Sequence, residues 1–250
     1  DVLLSEDRII GYRNFVNKVW NASRFTLMNL EGYDPEAAHQ DTQPLSTVEK
    51  WIISRLQRLI QGVSEALDGY KFDHAAHLVY QFTWHEFCDW YLEFIKPALY
   101  ESAEIAVRRH TQRVLTEVLG TILRLLHPFM PFVTEEIWHK LSGVESSIMV
   151  APFPQSHPEL IDPDAEAEMG LVMEVVTAIR NIRAEMNVPL TTRVKVDLFT
   201  PQPSSLRILK SHRHSLRGLA RLGELNIEFT GQPPRAAAKA VVDTVEICLL

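Results

Sequence analysis

The chain has 250 residues, 46% of them hydrophobic and 23% charged, which is enough apolar material for one large or two modest cores and argues against disorder. Its formal net charge is -7, its two cysteines, Cys88 and Cys248, match no metal-ligand spacing, and no apolar run is long enough to span a bilayer. Buried free thiols in a reducing compartment fit better than a disulfide scaffold, and the start, DVLLSEDRII, lacks the basic and apolar regions of a signal peptide, so the expected location is cytoplasmic. Without an initiator Met, and with an apolar VVDTVEICLL end, the chain reads as a piece of a longer protein.

A first helix is expected over residues 8–30. At 100° per residue, Ile9, Tyr12, Val16, Val19, Leu27 and Leu30 form an apolar stripe, while Arg13, Asn14, Asn17, Lys18, Asn21 and Arg24 gather on the other side. Gly32 and the polar stretch 34–44 make a connection. Ser46 and Glu49 then have the spacing of a capping box for a second helix that runs to about residue 68. Asp73 can cap a third helix, rich in core aromatics, that Pro97 stops because it has no amide proton and clashes with the preceding turn. A fourth helix is expected over 98–126, before Pro128, and a fifth over 134–141. Pro152, Pro154, Pro158 and Pro163 break helical periodicity and mark 142–164 as a linker, with 148–150 as a short extended piece. Beyond it come a helix over 165–186, a strand over 194–199, a helix over 204–221 and strands over 225–229 and 245–250, with Pro233 and Pro234 in a turn. The expected fold is mainly α: a helical bundle over residues 1–150 followed by a small α+β domain over 151–250.

The chemistry concentrates in the first helix. Residues 8–30 hold four cationic side chains and no carboxylate in a chain that is acidic as a whole. Guanidinium, ammonium and carboxamide groups with no acid beside them suit a partner that carries negative charge and presents edges to be read, and nucleic acid is such a partner. The order RNFVNKVWNASRF in this helix closely resembles the first helix of the anticodon-binding domain in the class I aminoacyl-tRNA synthetases for valine, isoleucine, leucine and methionine. WHEFCDWYLEFIKPAL (84–99), HPFMPFVTEEIWHKL (127–141) and IRNIRAEMNVPLTTRVKV (179–196) resemble the valine members in particular, so that the likeness covers nearly the whole chain.

The resemblance implies that Asn17, Asn21 and Arg24 meet anticodon bases, with Arg13, Asn14 and Lys18 as further contacts. Arg13 and Lys18 would neutralise phosphate. Tyr33, just past the helix end, could stack on a splayed base or fill a loop. It also implies a parent enzyme that uses ATP and Mg²⁺ to attach valine to its tRNA, with a catalytic domain upstream in the same chain and the enzyme acting as a monomer. The two ATP-handling signatures of that class, His-Ile-Gly-His and Lys-Met-Ser-Lys-Ser, do not occur here, so no residue is assigned a catalytic role and no cofactor is expected in this piece. The isoleucine enzyme's counterpart would normally be followed by a zinc-binding Cys cluster. A helical protein-docking module without RNA function is the rival from another class.

Other clusters have plainer readings. His85, Glu86, Cys88 and Asp89 lack the second His four residues on that a zincin helix needs, and no metal site is expected. Arg207, Lys210, His212, Arg213, His214, Arg217 and Arg221 read by default as a solvated helix face, with secondary contact to a tRNA body as the alternative, since phosphate contact needs only positive charge within reach. Arg180 and Arg183 are assigned to structure or inter-domain contact, and Glu135 and Glu136 to the favourable end of a helix dipole.

Overall fold

The computed structural model describes residues 5–36, 43–100, 104–141, 146–189, 191–231 and 237–250. Its first compact unit, which closes at Pro163, contains α1 (Glu6–Asn29), α2 (Thr47–Asp68), α3 (Phe72–Gln81), a π-helical segment (Phe82–Tyr91), α4 (Leu92–Tyr100), α5 (Ile105–Leu126) and α6 (Pro131–Trp138). α2 begins at the capping box: the Glu49 amide donates to Ser46 Oγ at 3.3 Å, and the Ser46 amide donates back to Glu49 Oε2 at 2.8 Å. Two otherwise orphaned amides are thereby satisfied where the chain enters the core. Trp51, Ile52, Leu59, Ile60 and Val63 of α2, Phe87 and Tyr91 of the π-helical segment, and Leu115, Val118, Leu119 and Ile122 of α5 fill the bundle's interior. Burying each such side chain is worth about 1.5–3 kcal/mol, enough to set the arrangement of the helices.

Three local expectations change inside the bundle. The buried stripe of α1 is Phe15, Val19, Ala22, Ser23, Thr26, Asn29 and Leu30. Ile9, Tyr12 and Val16, expected to be inside, are exposed, Tyr12 by 68%. Hydropathy misplaced the stripe because small polar residues can lie against a neighbour once their hydroxyls are satisfied: Ser23 donates to the Val19 carbonyl at 2.9 Å and Thr26 to that of Ala22 at 3.0 Å. Asp73 is not a cap. Lys71 holds that position and Asp73 lies in the first turn, where its charge favours the dipole. Pro97 does not stop its helix, which continues to Tyr100. Burial of Leu92, Phe94, Ile95 and Leu99 on both sides of it outweighs the roughly 3 kcal/mol that an internal proline costs. The expected helix over 98–126 is therefore two elements, the second starting after Glu104, whose backbone is extended.

The segment expected to be a linker belongs to the first unit over its described part. Ser156 Oγ donates to the Gln57 carbonyl at 3.2 Å, the His157 amide to Gln57 Oε1 at 2.8 Å, and the Asp162 amide to Ser54 Oγ at 2.9 Å. Residues 142–145 lie outside the described part. Ile148–Val150 is a 3-10 turn and not a strand, with the Ser147 side chain accepting from the Met149 amide. The boundary between compact units falls at Pro163 and Asp164.

In the second unit, α7 (Pro163–Glu185) precedes a mixed sheet built from β1 (Val194–Phe199), β2 (Leu222–Glu228), β3 (Ala238–Val242) and β4 (Val245–Leu249). The order is β2-β1-β4-β3, with β1 and β2 parallel and the other pairs antiparallel. Two helices, α8 (Pro203–Ser211) and α9 (Arg213–Leu219), supply the crossover from β1 to β2; the single helix expected there breaks at His212. β3 had no counterpart in the sequence reading, because none of its residues is fully buried. Asp243, at φ 47°, turns β3 into β4. The turn assigned to Pro233 and Pro234 lies outside the described residues. Arg183, only 4% exposed, pins the unit by donating to the carbonyls of Pro189, Thr192, Ala220 and Arg221 at 2.8–3.3 Å. The first unit's sequence carries 14 lysines and arginines against 22 carboxylates, and the second unit's 11 against 10.

Candidate nucleic-acid interface

Rotating the buried stripe of α1 toward Phe15, Ala22 and Thr26 turns the opposite face fully outward. Arg13, Asn14, Asn17, Asn21 and Arg24 are all exposed along it, together with Met28. Among the described residues neither Arg13 nor Arg24 forms an ion pair. Asn17 and Asn21 are one turn apart, and each offers a carboxamide donor and acceptor.

Lys18 stands apart from that set. It is half-buried, its Nζ lies 2.6 Å from Asp89 Oδ1, and the same ammonium sits 5.2 Å from the centre of the Trp84 ring. Asp89 also receives His85 Nδ1 at 3.3 Å. The expectation of a face with nothing to neutralise it thus fails at Lys18, because the carboxylate comes from a residue 71 positions away.

Toward its C-terminal end the exposed face borders a groove of about 260 Å³ lined by Asn21, Arg24, Phe25, Met28, Asn29 and Tyr100. Asn29 shapes it: its Nδ2 donates to the Phe25 carbonyl at 2.8 Å and to Tyr100 Oη at 3.2 Å, while Gln112 donates to the Asn29 carbonyl at 2.6 Å. Phe25 and Tyr100 meet edge to face at 6.3 Å. The groove therefore sets two hydrogen-bonding side chains beside apolar and aromatic walls, dimensions and chemistry that suit a single unstacked base. Phe25, Met28, Asn29 and Tyr100 were not singled out from the sequence. An aromatic directly after Arg24 was an available signal for Phe25, whereas Tyr100 enters only because α4 runs through Pro97.

Tyr33 does not line the groove. It lies beyond the end of α1, after Gly32 turns the chain at φ 75°, and is half-buried. Burial, then the carboxylate of Glu117, push its hydroxyl above the ordinary value despite Arg113 nearby.

The clusters with plainer readings are occupied internally. Arg55 grips Glu86 with Nε and Nη2 at 2.7 and 2.8 Å. Burial pushes the Cys88 thiol up to about 12, Lys18 opposing and Asp89 adding to the effect. Among the described residues no three His, Cys, Asp or Glu side chains converge as metal ligands would. Glu135 accepts from Ser147 Oγ at 3.1 Å and pairs with His139 at 2.8 Å. In the second basic cluster Arg213 and Arg217 donate to the carbonyls of Leu225 and Gly223, and His212 meets Glu168 at 2.7 Å, while Arg207 and Lys210 remain exposed.

Residues 49–198 match the family model described as the anticodon-binding domain of tRNA ligase. The match starts in α2, so the face on α1 lies just before it. Among curated proteins the chain is 49% identical to the valine–tRNA ligase of Geobacter sulfurreducens and 45% identical to that of Syntrophotalea carbinolica, each over 100% of this chain and 28% of the relative. The valine–tRNA ligase of Thermotoga maritima is 40% identical over 98% of this chain and 27% of its own length. The chain spans little more than a quarter of the relatives it matches.

Proposed function

We propose, for a chain that belongs to the anticodon-binding domain family of the tRNA ligases, that it reads the anticodon of valine tRNA within a valine–tRNA ligase. The observation that carries this reading is the exposed face of α1 from Arg13 to Arg24, a stretch that holds no carboxylate of its own, running into the groove between Asn21, Arg24, Phe25 and Tyr100. Arg24 and Asn21 would bond the edge of a base whose ring rests against the groove's apolar wall, and Asn17 and Asn14 would extend the contact toward the helix start. Arg13 would neutralise backbone phosphate. The relatives' names support valine as the amino acid. The larger enzyme of this reading would activate it with ATP and Mg²⁺ on a separate catalytic domain. Ile9, Ile10 and Tyr12, exposed on the first turns of α1, offer that upstream domain an apolar contact. A monomeric enzyme of the cytoplasm fits this reading, and no described helix is long and apolar enough to cross a membrane.

The test compares binding of the anticodon stem-loop of valine tRNA with the same loop carrying a changed anticodon. Asn21→Ala and Arg24→Ala are expected to weaken the first by about 1–3 kcal/mol each and to leave the weaker complex nearly unchanged. Both side chains are exposed, so thermal unfolding should hardly move. Equal affinity of wild type and the double variant for the cognate loop would reassign this face to protein docking.

A further inference from the structure

The π-helical segment brings an acid and an aromatic ring to the same cation. In an α-helix residues five apart are separated by about 140° around the axis, whereas i→i+5 bonding draws them toward one face. Trp84 and Asp89 are such a pair, and both address the Lys18 ammonium, at 5.2 Å from the ring centre and 2.6 Å from Oδ1. The two charged side chains are 33% and 37% exposed, so the pair sits at the edge of the α1 face and not beneath it.

We propose that Asp89 is a positioning residue that withdraws Lys18 from phosphate binding and leaves its remaining N–H donors for the neutral acceptor edges of RNA bases. The proposal rests on the anticodon-reading function and assigns that site a source of selectivity. A phosphate approaching Lys18 meets the Asp89 carboxylate as well, and the pair's summed charge is zero, so Lys18 contributes little to counterion release. An ammonium carries three donors, and Asp89 takes one. A carbonyl or ring nitrogen accepts from the others without adding anionic charge beside Asp89. Arg13 and Arg24, which form no ion pair among the described residues, keep their full charge for phosphate or base. Asp89 thus subtracts from sequence-independent attraction while preserving directional contact.

Binding of the cognate stem-loop and of one with a changed anticodon, each over a series of salt concentrations, tests this in the full chain. Lys18→Ala is expected to reduce the preference for the cognate loop by roughly 5- to 100-fold, with the slope of log affinity against log salt unchanged. Asp89→Asn is expected to raise affinity for the changed loop and to steepen the slope by about 0.7–0.9, and the change of slope should vanish when Lys18→Ala is added. A slope made shallower by that amount in Lys18→Ala would show Lys18 to be a phosphate contact and overturn the proposal. So would an Asp89→Asn change of slope that persists in the double variant, or an Asp89→Asn protein that loses affinity for both loops. If Asp89→Asn does not fold, the Lys18→Ala slope alone decides. A wild-type chain that binds both loops equally overturns the anticodon reading itself and this proposal with it, while discrimination by wild type with a changed Lys18→Ala slope removes this proposal alone.

Discussion

Tyr91 carries its hydroxyl into the bundle core, where among the described residues nothing accepts its proton or donates to it. An unpaired buried hydroxyl costs desolvation that its ring packing must offset, so Tyr91→Phe is expected to hold or raise stability, by up to about 1 kcal/mol. Urea unfolding would measure it, and a loss of more than that would reveal a hidden partner for the hydroxyl. The same kind of side-chain accounting explains which site residues could be found in the sequence. Asn17, Asn21 and Arg24 were legible because polar residues at helical spacing, without acids beside them, announce a surface by themselves. The pairing of Lys18 with Asp89 and the closure of the groove by Tyr100 each join residues 71 positions apart. No local pattern encodes such a contact.

The π-helical segment holds two weak acids inside the fold, Cys88 and Tyr91, and gives stability a dependence on alkali. Burial raises the Cys88 thiol from the ordinary 9.0 to about 12 and lifts the Tyr91 phenol well above 10.0. A folded-state value raised above the unfolded one means that stability is fully present below the unfolded value. It is lost as pH climbs, because the unfolded chain gives up protons that the folded chain keeps. Unfolding free energy should therefore begin to fall near pH 9, by up to about 1.4 kcal/mol per pH unit for each group. Cys88→Ala should make the fall between pH 9 and 10 shallower but not abolish it, because burial also raises the Cys248 thiol, and an unchanged slope in that variant would assign the fall elsewhere. The neighbouring start of α2 was fully legible, since a capping box lies within four residues: Ser46→Ala should cost about 0.5–2 kcal/mol in the same unfolding assay. The π-helical bonding, the survival of α4 past Pro97 and the half-exposed β3 were not legible. Each is decided by what packs against the segment and not by its own residues.

Carried to the whole chain, the hydrogen bonds from Ser156, His157 and Asp162 to α2 determine where it can be divided. A chain ending at Pro163 is expected to unfold cooperatively, whereas one ending at residue 155 leaves the buried Gln57 side chain without its amide partner and should be less stable by about 1–3 kcal/mol. Equal urea midpoints for the two would show those bonds to be incidental, and a shapeless transition at 163 would show that the units share one core. Legibility at this level was good: helical bundle, then small α+β module, followed from where periodicity changed. The partition of charge has a kinetic consequence. An RNA approaching the strongly acidic first unit is opposed at distances beyond the reach of any single side chain and, on the proposed reading, would be held only once it touches α1. Encounters with the wrong surfaces are short-lived, and added salt lowers the barrier to collision while loosening the complex once formed. Rising ionic strength should therefore speed arrival as well as departure, so that under the proposed anticodon reading the acidic shell would act as a filter in time where α1 would act as one in sequence.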